Sequence, residues 1–272
     1  MTDDLAAAGA TGIISRSVFI AGRSRKALRH PWLQFIVLAL LLFTVGSRAD
    51  AHETIDIDRV NDTVAANDEA TARVSVAHDP GPKGEAQFAL GMVLVEVTDV
   101  LNRDLAAHSG RLTVNAELLV KALAQRNTAP RFDDAIGRYR LPRTPLEDAL
   151  RLSPAAPYAP RARFALLKAG FYESFVLDPF ELVGLSFSGL ERQIAEAEAV
   201  PPALLNADDA EEAAFIHAVD LARAARLAAD AEAKRGYTGK AQKALSAFAE
   251  AYPDSMRAAA AGMILKNMGG TQ

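Results

Sequence analysis

Four stretches in the second half of this chain each set a helix-capping side chain just ahead of proline or acid and then an apolar run. They are Thr144 with Pro145 and Glu147, Asp178 with Pro179 and Glu181, Ser188 with Glu191, and Asn206 with Asp208, Asp209, Glu211 and Glu212. A capping oxygen accepts the orphan N–H groups of a first turn, proline fits the first helical position, and a glutamate three residues on reaches back to the cap. Acid there also meets the positive end of the helix dipole. The alanine-rich helix after Asn206 is expected over about 208–234, with Gly236 as its stop. Upstream, Phe88, Met92, Val95 and Leu101 recur at helical spacing, and Val114, Leu118, Leu119 and Leu123 form a second stripe. Strand signals are thin: a β-branched bias at 93–97 and one alternating run at 71–77. The spacing predicts an all-α fold.

The N-terminus has a different grammar. Arg23, Arg25, Lys26 and Arg29 precede an apolar run at 33–45, and the small residues Ala49 and Ala51 follow it. A spanning helix needs roughly 20 apolar residues, whereas an export-signal core needs about 7–15. Residues 1–51 therefore read as an export signal cleaved near Ala51, and the long leader before the core leaves an uncleaved anchor as the alternative. The expected location is a periplasm, or the inner membrane as a single-pass protein with its C-terminal domain in the periplasm. The segment 52–84 is polar and ends in the turn formers of 78–84, which predicts a flexible lead-in to a helical domain over 85–272.

The whole chain carries a net charge of −4, and removing residues 1–51 leaves 24 basic against 31 acidic residues, or −7. That balance argues against nucleic acid or anionic lipid as the main ligand. No cysteine is present, which excludes disulfides, thiolate metal sites, cysteine nucleophiles and a cysteine-linked lipid. The domain must be held by its core alone.

Two segments resemble each other. Pro154, Tyr158, Pro160, Ala162, Phe164 and Leu166 follow a turn into a helix, and the stretch from Pro253 through Ala261, Met263 and Leu265 runs in parallel. Before the second, Ala241, Leu245 and Phe248 share one helical face between Gly236 and the Tyr252, Pro253, Ser255 turn. At these residues, over about 142–170 and 236–269, the chain resembles the tetratricopeptide-repeat proteins of bacterial envelopes. The resemblance implies helical hairpins stacked in an array that holds a peptide or another envelope protein. Alanine-faced helix pairs bury too little area alone and must stack on neighbours, with or without a true repeat. An irregular helical domain using similar turns is the other reading.

Catalytic signatures are sparse. The five histidines, His30, His52, His78, His108 and His217, show no metal-ligand spacing, so no metal is expected. No glycine-rich phosphate cradle is present, so no nucleotide or other cofactor is expected. Ser186 and Ser188 lack the elbow of hydrolases, and Ser188 reads as a cap. Glu173 and Asp178 flank aromatic residues, and a carboxylate pair there, or Glu191, could serve a glycan-cleaving enzyme. The aromatic cluster of 158–180 holds the best candidates for a partner surface: Tyr158, Phe171, Tyr172 and Phe175. The leading expectation is a non-enzymatic exported scaffold or adaptor. The alternatives are an enzyme acting on cell-wall glycan, or an accessory subunit of an inner-membrane complex anchored by 33–45.

Overall fold

Asp56 accepts the Arg59 N–H at 2.7 Å and starts a helix well inside the stretch expected to be a flexible lead-in. The structure, a computed structural model, describes residues 55–176 and 180–269. The export segment with Ala49 and Ala51, together with His30, His52, Asp178 and Pro179, lies outside the described residues. Helix α1 (Ile57–Val76) turns Val60, Val64, Asn67, Ala70 and Val74 toward its neighbours. The expectation for 52–84 is corrected accordingly, and the alternation at 71–77 belongs mostly to the last turns of α1. A polar residue, Asn67, interrupts the stripe, so the helical period was hard to see.

Helix α2 (Pro80–Ala107) begins in the proline-rich turn, since proline is at home in a first turn. Its buried face is Leu90, Leu94, Val97, Leu101 and Leu105, with Phe88, Met92 and Val95 half-buried beside it. In α3 (Val114–Ala124), capped by Thr113, the buried set is Ala116, Leu119 and Leu123, while Val114 and Leu118 are exposed. Of the two expected stripes, Leu101, Leu119 and Leu123 are buried and Phe88, Met92 and Val95 pack half-buried against the core, while Val114 and Leu118 face outward.

A two-stranded antiparallel hairpin follows, β1 (Arg131–Asp133) and β2 (Arg138–Arg140), with Phe132 opposite Tyr139. Asp133 Oδ1 accepts the Ala135 N–H at 2.8 Å, and Gly137 takes the left-handed conformation (φ +66°) that closes the turn. The fold is therefore mostly helical rather than purely so.

The remaining helices are α4 (Thr144–Leu152), α5 (Ala159–Tyr172), α6 (Phe187–Glu198), α7 (Ala207–Leu227), α8 (Ala231–Ala251) and α9 (Met256–Gly269). They make nine among the described residues and pack as antiparallel pairs, α1 on α2, α7 on α8 and α8 on α9. Asn206 caps α7 as expected, accepting the Asp209 N–H at 2.8 Å. Three starts differ from expectation. Helix α4 begins on Thr144 itself, and Arg143 before it makes no side-chain cap bond. Ser186, not Ser188, caps α6, accepting the Gly189 N–H at 3.1 Å. No helix begins at Glu181. Gly236 is not a stop: α7 ends at Leu227, Asp230 caps α8, and Gly236 and Tyr237 lie within α8. The open side of Gly236 lets a helix run through it at a cost of about 1 kcal/mol against alanine.

Three groups of buried apolar side chains form the core. One joins α1, α2 and α3, a second joins α1, α2, α4 and α5, and the largest joins α5 to α9. Helix α7 is buried on nearly every side because Ala213, Ala218, Ala222, Ala224 and Ala225 let its neighbours come close. Close approach recurs at Gly91, where a Cβ would lie 2.6 Å from Leu146 Cγ of α4. Among the described residues no helix is long and apolar enough to cross a membrane.

Candidate functional site

The polar face of α2 presents Val95, Thr98, Asp99, Asn102, Arg103 and Ala106 at intervals of three and four residues, so they form one line. Ala165, Lys168, Ala169 and Tyr172 do the same on α5. Between these rows, with β2 and the start of α7 at its margins, lies a cleft of about 370 Å³. Such a volume suits a small ligand or a few residues of a peptide.

Hydrogen bonds pin the hairpin over α2. Asn102 gives its amide N–H to the Tyr139 carbonyl at 3.0 Å and accepts the Tyr139 N–H at 2.8 Å, so one side chain mimics a neighbouring strand. Glu173 fastens the far end. Its Oε1 accepts the Leu141 N–H at 2.8 Å, and its Oε2 accepts from Arg143 at 2.8 Å, with Arg140 at 3.9 Å. Arg138 donates to the Tyr172 carbonyl at 2.8 Å and lies 5.7 Å from the centre of the Phe175 ring.

Lys168 bridges Asp99 at 3.4 Å and Glu212 at 3.5 Å. Tyr172 donates its hydroxyl to Glu212 at 2.8 Å, and Arg257 of α9 approaches the same carboxylate at 3.5 Å. Arg257 also meets Glu211 at 3.0 Å. One chain of charges thus ties α2, α5, α7 and α9. Burial alone would lower the Lys168 ammonium, but Asp99 and Glu212 outweigh it and hold it above its ordinary value. Burial, reinforced by Glu212, pushes the Tyr172 phenol well up. Burial pulls the Arg138 guanidinium down, against Tyr172 and Glu173. Lys168 is thus held in its charged form and Tyr172 in its neutral, protonated form, so neither is poised as a nucleophile or base near pH 7.

Of the four aromatic residues expected to face a partner, Tyr172 lines the cleft. Tyr158 stacks on Phe88 with ring centres 4.7 Å apart, half-buried and outside the cleft lining. Phe171 is 0% and Phe175 3% exposed; they are core, packed beneath Arg223 at 4.3 and 5.0 Å. Phe171, on α5, and Phe175, three residues past its end, both pack into the largest core group with α6 and α7. Glu173 lines the cleft, with both oxygens engaged in holding the hairpin. Glu191 is exposed and accepts the Tyr237 hydroxyl at 2.9 Å, apart from Glu173. His217 lies in α7 with Nε2 3.6 Å from Glu198, and His108 contacts Asp104 at 3.4 Å. Among the described residues no group of three or more His, Asp or Glu could hold a metal ion.

Sequence reasoning missed Asp99, Asn102, Arg138, Lys168 and Glu212. The one local hint was the alternation of Arg138, Tyr139 and Arg140 beside a turn. No protein family, curated protein or solved structure matches this chain.

Proposed function

We propose that this chain is an exported, non-catalytic helical scaffold of a bacterial envelope that holds a peptide, or a segment of another envelope protein, in the cleft between α2 and α5. The observation that carries the reading is the cleft itself: a ligand-sized opening whose wall mixes hydrogen-bonding groups, a tyrosine and apolar side chains. Its charges are largely paired with one another rather than arranged for chemistry. The export pattern of 1–51 and the surplus of acid in the remainder favour a protein partner in a periplasm over nucleic acid or anionic lipid. The tetratricopeptide-like reading of 142–170 and 236–269 belongs to this proposal. Ala241, Leu245 and Phe248 do share the buried face of α8, and the turn through Pro253 does join two antiparallel helices. The glycine–aromatic turn of that family has no counterpart at Gly236 and Tyr237.

The test is capture from envelope extract by residues 52–272. A stoichiometric partner is expected, and Ala106→Trp, which fills the cleft from an exposed position, should abolish its capture. A partner retained by the filled cleft, or no partner at all, would count against the scaffold. A second reading has one observation in its favour: Glu173 and Glu212 both line the cleft. If the chain cleaved cell-wall glycan, turnover of purified peptidoglycan would be lost in Glu173→Gln; the scaffold reading expects no turnover in either form.

A further inference from the structure

We propose that the cleft recognises a carboxylate, and specifically the free C-terminus of a bound peptide, with Arg138 as its counter-ion. The reading rests on the peptide-holding function above and adds which end of the peptide is read.

The cleft's cations are neutralised unequally. Lys168 has two carboxylates, Asp99 and Glu212, within 3.5 Å. Arg143 and Arg140, just beyond the cleft, share Glu173. Arg138 differs: its protein partners are a neutral carbonyl, that of Tyr172, and the face of Phe175, and no carboxylate lies within 4.0 Å of it among the described residues. It is half-buried, so its charge has lost part of its hydration, and the nearby Glu173 carboxylate, already engaged by Leu141 and Arg143, makes no ion pair with it. A guanidinium held that way by its protein retains free N–H groups in a planar fork, which matches a carboxylate in a bidentate pair. Arg103, exposed on the cleft's α2 side, adds a second positive charge to the same lining.

The surrounding acid sets the charge of the ligand. Asp99, Glu173 and Glu212 also line the cleft, so a doubly charged phosphate would meet more repulsion than a single carboxylate. The neighbouring cavity, which shares Leu105, Gly110 and Tyr139 with the cleft, is lined further by the apolar Leu112, Val120 and Phe132 and by the charged Glu117 and Lys121. Its apolar side chains suit the residue next to a C-terminal carboxylate. A chain end offers both features together: one negative charge and an adjacent apolar group.

The experiment uses residues 52–272 and two pools of N-acetylated random tetrapeptides, one with free C-termini and one C-terminally amidated. Equilibrium dialysis read by mass spectrometry gives the retention of each pool. The free-acid pool should be retained about tenfold or more over the amide pool, the ratio implied by loss of a charge-assisted hydrogen bond. Arg138→Gln should abolish that preference, and Arg138→Lys should restore part of it, since it keeps the charge without the fork. Circular dichroism checks that each variant is folded; if Arg138→Gln does not fold, the acid-against-amide contrast on the unaltered protein decides alone. Equal retention of both pools overturns the inference and leaves the peptide-holding function standing. Retention of neither pool overturns the inference too, and capture of a protein partner then tests the broader function separately.

Discussion

Asp220 and Arg223 form a fully buried pair at 2.8 Å in the middle of α7, and Gln193 of α6 donates to Asp220 at 2.9 Å. Burial raises the Asp220 carboxyl from 3.8 to about 6, against the opposing pull of Arg223 and Gln193. A folded-state value above the unfolded one means that the folded chain holds the proton more tightly. The resulting stability is fully present below pH 3.8 and is lost as pH rises through about 6. Asp68 and Asp133 act in the opposite sense, since hydrogen bonds from Arg126 and from the Ala135 N–H hold them low. Their contribution is present above the ordinary carboxylate value and disappears as pH falls. Chemical denaturation of Asp220→Asn against the unaltered protein, from pH 4 to 7, should show the downward slope with pH removed in the variant; an identical slope would contradict the assignment. Gly91 is the other residue whose identity is dictated. Adding a Cβ would drive it into Leu146, so Gly91→Ala should destabilise the fold by about 1–3 kcal/mol in the same assay.

At the scale of elements, the hairpin depends on side chains far from it in sequence. Asn102 supplies two hydrogen bonds to the Tyr139 backbone and Glu173 fixes Leu141, so the outer edge of β2 and its exit are satisfied by side chains at these points. Asn102→Ala would leave both Tyr139 backbone groups without that partner, at a cost of about 1–3 kcal/mol each for any that stays buried. Amide hydrogen exchange should therefore accelerate across 131–141 in this variant while α8 and α9 stay protected. Uniform acceleration across the molecule would show that the hairpin is not a separate unit. The elements also show what was legible in the sequence. Asn206 announced α7 because a cap and its acids are adjacent in the chain. Helix α1 was missed because Asn67 sits in its buried stripe, and the stripes of α2 and α3 took in half-buried Phe88 and exposed Leu118 because these are as apolar as the buried Leu101, Leu119 and Leu123. Gly236 misled because a glycine in an open helix position costs only about 1 kcal/mol against alanine, too little to end a helix of 21 residues.

At the scale of the whole molecule, the cleft is assembled from four separate parts of the chain: α2, β2 with its exit, α5 and the start of α7. Tyr172 and Glu173 were visible in the sequence because they sit in an aromatic cluster that draws notice. Asp99, Lys168 and Glu212 were not, since charges at helical spacing read as a solvated face until tertiary packing brings them together. Arg138 was hidden because an arginine in a three-residue strand reads as a solvated side chain, and only the structure shows that no carboxylate lies within 4.0 Å of it among the described residues. The proposed function requires that this cleft be where the chain meets its partner. Hydrogen–deuterium exchange on residues 52–272, alone and with a partner captured from envelope extract, tests it directly. Slowed exchange is expected on α2 near Asn102, on β2 and its exit, and on α5 near Lys168, with none of it in Ala106→Trp. Slowed exchange confined to other surfaces, or protection that persists when the cleft is filled, would contradict it.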